Sequence, residues 1–144
     1  MADTQNYSNH TRWYPLFHFV VIPLLALNFL SHLIRFFMAP SWALGFWTLL
    51  GITLILLALV SRLMALKAQD RVIRLEEKLR YREVLSPELN ERAKGLHVGR
   101  IIALRFASDE ELAGLVERTL NGEFAKPKEI KQAIKNWRGD YLRV

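Results

Sequence analysis

The chain has 144 residues, of which 51% are hydrophobic and 24% charged, and its 20 Lys/Arg against 14 Asp/Glu give a formal net charge of +6. That length suits one domain, or a small membrane part joined to a small soluble part. The absence of cysteine excludes disulfides, thiolate metal sites and a cysteine nucleophile. Apolar and charged residues are segregated: nearly all long apolar runs lie between residues 13 and 64, while Lys67 to Val144 hold 17 Lys/Arg and 13 Asp/Glu.

The first apolar run follows a start with one Arg and no Lys, and no A-x-A-like cleavage site comes after it, so it reads as retained rather than as a cleaved signal peptide. From Leu16 to Ile34 it spans about 28 Å as a helix, close to the hydrocarbon thickness of a bilayer. Pro23 inside it removes the bond to the carbonyl of Phe19 and predicts a kink. A second uncharged run covers Trp42 to about residue 61, after the short connection "RFFMAPS". Two antiparallel spans result, with Trp13, Tyr14 and Trp42 at interfacial positions. The turn carries Arg35 alone, whereas Arg62, Lys67, Arg71, Arg74, Lys78, Arg80 and Arg82 follow the second span. The positive-inside bias therefore puts both termini in the cytoplasm. The sequons at Asn6 and Asn9 then read as chance matches on the cytoplasmic side.

The second helix is expected to continue to about Val84, roughly 60 Å in all, because "SRLMALKAQDRVIRLEEKLRYREVL" lacks Gly and Pro. Ala65, Ala68, Val72, Leu75 and Leu79 recur at alternating three- and four-residue steps, a seam read as the surface onto which later helices fold. Asp70/Arg74 and Glu76/Arg80 are favourable i,i+4 pairs. Further helices are expected at "SPELNERAKG", with Ser86 as cap and Pro87 at the first position, and at "SDEELAGLVERTLNG", with Ser108 and Glu111 in capping-box spacing and Gly122 as terminator. In "KPKEIKQAIKNWRG", Ile130, Ala133, Ile134 and Trp137 fall on one helical face. "HVGRIIALRF" reads as a short helix, since a lone strand has no partner. The fold class is all-α: a transmembrane hairpin over residues 1–64, and a small bundle of short helices in a cytoplasmic domain over 65–144.

"NHTRWYPLFHFVVIPLLALNF", "LMALKAQDRVIRLEEKLR", "ALRFASDEEL" and "IKQAIKNWRGDYLRV" together resemble an uncharacterised family of small bacterial membrane proteins. The resemblance extends over nearly the whole chain. It implies a bacterial inner-membrane protein with two N-terminal spans and a basic cytoplasmic tail, and it supplies no catalytic residue.

The polar residues of the first span are the candidate site. At 100° per residue, His18, Asn28, His32 and Arg35 fall within a sector of about 100°. Such a stripe should face protein or water, not lipid. Gly45, Thr48 and Gly51 of the second span offer a matching face of small residues. One reading has Asn28 and His32 hydrogen-bonding across the hairpin or a dimer, with Arg35 and His18 near opposite interfaces. The other makes His32 and His18 two separate axial ligands, for haem iron or the magnesium of a chlorophyll-type pigment, since about 21 Å along the axis separates them.

No catalytic site is expected: the chain has no G-x-x-x-x-G-K-[ST], G-x-G-x-x-G or H-E-x-x-H motif, and no metal site is read from it. Lys126, Lys128, Lys131, Lys135, Trp137, Arg138 and Arg143 form a basic segment, read first as a solvated face, then as a contact for anionic lipid or a partner, and last for nucleic acid. These features describe a non-enzymatic inner-membrane accessory or scaffold subunit that contacts lipids and other membrane subunits or itself. The alternatives are a pigment- or haem-binding subunit and a membrane-tethered regulator that binds a cytoplasmic partner through its C-terminal helices. No small-molecule substrate is indicated.

Overall fold

The structure, a computed structural model, describes residues 5–10 and 13–141. It is all-helical, with a π-helical stretch Leu16–Val21 leading into α1 (Ile22–Met38), then α2 (Trp42–Val84), α3 (Pro87–Ala93), α4 (Val98–Leu104), α5 (Asp109–Leu120) and α6 (Pro127–Ala133). No strand occurs among the described residues, and a single antiparallel bridge joins Ala107 to Trp137. The chain divides into two compact units. Residues 13–66 form one, and the described residues before Trp13 belong with those from Lys67 onward in the other.

In the first unit the helices α1 and α2 pack as a hairpin. Ile22, Leu25, Phe29, His32, Leu33 and Phe36, at three- and four-residue steps, are the partly covered side of α1. A Cβ added at Gly51 of α2 would lie 3.1 Å from the Cα and 3.2 Å from the Cβ of Phe29, and one at Gly45 would lie 3.4 Å from the Phe36 ring. Glycine thus permits the close helix approach. We expect Gly51→Ile to push the helices apart and cost about 1–3 kcal/mol, read as a lower melting midpoint of the hairpin in detergent.

The irregularity at Pro23 takes the form of a π-helical turn. Pro23 has no N–H, and just before it the Ile22 N–H reaches back to the Phe17 carbonyl, a five-residue step instead of four. α1 ends at Met38 because Pro40 disfavours a helical Ala39, which sits at φ −145° and ψ 82°. Ser41 then caps α2, its Oγ accepting from the Leu44 N–H at 3.3 Å. Thr48 and Thr53 return their hydroxyls to the Leu44 and Leu49 carbonyls at 2.8 Å, so neither leaves a donor facing outward. Both Leu16–Met38 and the apolar part of α2 are long and apolar enough to cross a membrane. None of Leu16–Met38 is buried, and between Trp42 and Leu66 only Gly51 is.

The second unit has an apolar core of Leu104, Phe106, Ala107, Leu112, Val116 and Ile130, all fully buried. Ser86 caps α3 as its sequence predicts, accepting from Leu89 N–H at 3.3 Å. Gly122 adopts φ +79° after α5, the conformation that favours glycine at a helix terminus. "HVGRIIALRF" supplies α4, whose N-cap is His97, with Nδ1 accepting from Gly99 N–H at 3.2 Å.

Four expectations are corrected. The apolar seam of α2 is not the face onto which later helices fold: Val72, Leu75 and Leu79 are 54%, 62% and 51% exposed. The buried face is instead Ile73, Glu77, Arg80, Tyr81 and Leu85. Arg80 does not pair with Glu76, because it turns inward to Glu77 and Asp109, and no ion pair joins Asp70 to Arg74 among the described residues. Ser108 caps no backbone donor, and Glu111 closes no capping box; its carboxylate accepts the backbone N–H of Lys135 at 3.2 Å and of Asn136 at 3.0 Å. Those contacts also end α6 at Ala133, four residues before Trp137. With Ser108 N–H on the Asn136 carbonyl and Arg138 N–H on the Phe106 carbonyl, the backbone after Ile134 finds long-range partners and leaves the helix. Trp137 therefore stands in extended chain beside Ala107.

Candidate functional site

The four polar residues singled out in Leu16–Met38 do not share one environment. His18 is half-buried, with Nδ1 3.0 Å from the Tyr14 carbonyl and the ring edge-on to Trp13 at 4.9 Å. His32 lies on the side of α1 toward α2 and stacks on Trp47, with centroids 6.0 Å apart and planes 20° apart. Its Nδ1 is buried and has no hydrogen-bond partner. Asn28 and Arg35 are exposed. Asn28 accepts the Ser31 hydroxyl on its backbone carbonyl at 2.9 Å, and no hydrogen bond holds its side-chain amide among the described residues. No hydrogen bond runs from Asn28 or His32 to α2 among the described residues.

Asn28 belongs to a continuous outer face of α1. Leu24, Leu27, Asn28, Ser31, Ile34, Arg35 and Met38 are all exposed and recur at three- and four-residue steps. Three of the seven are polar, which is unlike a surface made only for lipid.

The basic C-terminal segment is also divided. Lys126, Lys128 and Lys135 are exposed. Lys131 lies over the Phe106 ring at 5.4 Å. Trp137 is half-buried against Phe106 at 5.0 Å and near His10 at 5.8 Å, and Arg138 donates to Glu77 Oε1 at 3.2 Å. Three of the seven predicted contact residues, Lys131, Trp137 and Arg138, thus make contacts within the unit. Arg143 lies outside the described residues.

Sequence reasoning missed a buried charged network in this unit. Arg80 donates through Nε to Asp109 Oδ1 at 2.7 Å, through Nη2 to the Ala107 carbonyl at 2.7 Å and through Nη1 to Glu77 Oε2 at 3.2 Å. Arg105 Nε stands 3.0 Å from Asp140 Oδ2, and the Asp140 N–H reaches Gln5 Oε1 at 2.7 Å, which ties the chain before α1 to the chain near its end. The signal available was the spacing of Glu77 and Arg80 with Ile73 and Tyr81 on one helical face. A cleft of about 510 Å³ opens beside this network, lined by Ile73, Glu77, Arg105, Arg138, Asp140 and Tyr141 among others.

Burial pushes the Glu77 carboxyl above its ordinary value of 4.5, against the opposing pull of Arg80 and Arg138. Burial likewise raises the Tyr81 hydroxyl, with the nearby Glu77 charge adding to it. Because the folded Glu77 binds its proton more tightly than the unfolded one, its contribution to stability is complete below pH 4.5 and is lost as pH rises through the raised folded value. We expect the difference in unfolding free energy between wild type and Glu77→Gln to change across that window and to be flat below it, measured by chemical unfolding at a series of pH values.

Among the described residues no group of three or more His, Asp or Glu side chains is placed to hold a metal ion. The chain matches, over residues 1–144, the family described as "Family of unknown function (DUF6526)", and it belongs to that family. This agrees with the resemblance to an uncharacterised family read from the sequence. No curated protein and no solved structure matches it.

Proposed function

We propose that this member of the DUF6526 family is a non-enzymatic protein of the bacterial inner membrane, crossing it twice with both termini in the cytoplasm, and that it serves as an accessory or scaffold subunit of a larger membrane assembly. The observation that carries this reading is the exposed amide of Asn28, midway along the exposed outer face of α1. An amide in hydrocarbon without a partner is costly, and hydrogen bonds between membrane helices are worth about 1–2 kcal/mol in model peptides. A second transmembrane segment with a donor or acceptor at this depth satisfies it, with Ser31 and Arg35 flanking on the same face. The topology is supported by the packing of residues 5–10 with residues 67–141 in one unit, because a chain that leaves this unit and returns to it crosses a bilayer an even number of times.

The test is tagged purification from native membranes in mild detergent. Stoichiometric co-purifying chains are expected with wild type, reduced severalfold with Asn28→Leu. A lone monomer in both preparations would remove the scaffold reading.

A second reading, cofactor binding, draws on the histidines. Nδ1 of His18 lies 3.0 Å from the Tyr14 carbonyl and 3.2 Å from the Tyr14 nitrogen; as a donor to that carbonyl it would leave Nε2 free to ligate, and Nδ1 of His32 is unpartnered. Haem or a chlorophyll-type pigment would give the purified protein visible absorption. Unchanged spectra in His18→Ala and His32→Ala would end this reading.

A further inference from the structure

The face of α2 that the later helices leave uncovered has the residue pattern of a two-stranded coiled coil. Ala68, Val72, Leu75 and Leu79 are exposed, on the side of the helix opposite Ile73, Glu77 and Tyr81. Placing Val72 and Leu79 at heptad position a puts Ala68 and Leu75 at d. A β-branched residue at a with Leu at d favours two strands.

The flanking charges choose both partner and direction. In this register Arg71 and Lys78 occupy g, and Glu76 and Glu83 occupy e. A parallel pair of identical helices sets each g residue against the e residue five positions later on its partner. Arg71 then meets Glu76, and Lys78 meets Glu83, on both sides of the seam. An antiparallel pair would oppose Arg and Lys to each other and Glu to Glu. Arg71, Glu76 and Glu83 are exposed, and Lys78 is partly so.

We infer that this part of α2 pairs in parallel with the same segment of a second copy of the chain. Two heptads are marginal for a free helix pair, because short helices bury little and nucleation is costly. Confinement of both copies to one membrane raises their effective concentration and holds their α2 helices in the same direction. In strength, though not in register, the pairing rests on the membrane reading above.

The chain has no cysteine of its own, so single cysteines report the pairing cleanly. In oxidised native membranes, full-length Leu75→Cys should yield a covalent product of twice the chain mass. The yield should be severalfold greater than from Arg74→Cys, which is exposed but off the seam. Adding Glu76→Lys to Leu75→Cys should lower that yield severalfold, and adding Arg71→Glu as well should restore it. Equal yields from positions 75 and 74, indifference to Glu76→Lys, or a product whose mass is that of the chain plus a different protein would each overturn the inference. Alkaline washing of the same membranes reports separately whether the chain is integral. Release of the chain would defeat the membrane reading whatever the cross-links show.

Discussion

Phe106→Ala is expected to lower the stability of the unit formed by residues 67–141 by about 3–5 kcal/mol, the range for truncating a buried aromatic. Phe106 is fully buried and stands between α4 and α5, in contact with Trp137 and His10, with the Arg105 guanidinium 4.4 Å from its ring centre. Its removal leaves a cavity and also takes the platform from the extended segment after α6, whose Arg138 N–H bonds the Phe106 carbonyl at 2.7 Å. The measurement is the chemical unfolding midpoint of the full chain in detergent micelles. A loss below about 1 kcal/mol, the range of ordinary surface substitutions and mild core swaps, would show that this ring does not organise the core.

Arg80→Met is the second large effect, again about 3–5 kcal/mol at neutral pH, because it leaves a buried carboxylate with one of its two cationic partners gone. Side-chain exposures of 9% for Arg80 and 5% for Glu77 place the pair where water cannot substitute. The loss has a signature that simple mispacking lacks. Burial already holds the Glu77 carboxyl above 4.5, and without Arg80 it rises further, so the defect should shrink as pH falls and Glu77 takes up its proton. A defect of constant size across pH would assign the role of Arg80 to its stem packing and its bond to the Ala107 carbonyl instead.

These two sites differ in how far the sequence disclosed them. Local signals were legible: Ser86–Pro87 starts α3, Gly122 ends α5, and the helix begun by the uncharged run from Trp42 continues through charged residues, with no Gly or Pro after Gly51, to Val84. Each depends on residues a few positions apart. The end of α6 was not legible, because Glu111 and Asn136, far apart in sequence, decide it through backbone bonds. The choice between two faces of α2 was not legible either. One face is apolar throughout, the other mixes Ile73 and Tyr81 with Glu77 and Arg80, and only the presence of Asp109, Arg138 and the Ala107 carbonyl makes the charged face the buried one.

The candidate site was legible in composition but not in arrangement. A sector of about 100° was enough to group His18, Asn28, His32 and Arg35. It was too coarse to separate His32, which Trp47 covers, from Asn28, which nothing in the hairpin covers. That separation depends on where α2 lies against α1, and so on Gly51 meeting Phe29, a contact that the residue pattern of α1 alone does not fix.

The proposed hairpin crosses the membrane twice, with its turn on the outer side. Single cysteines at Ala39 in the turn, Asn9 before α1 and Glu88 in α3 test it in spheroplasts, with a membrane-impermeant maleimide. Ala39→Cys should be labelled in intact spheroplasts, and Asn9→Cys and Glu88→Cys only after lysis. Equal labelling of all three before lysis, or labelling of position 9 or 88 but not 39, would contradict it.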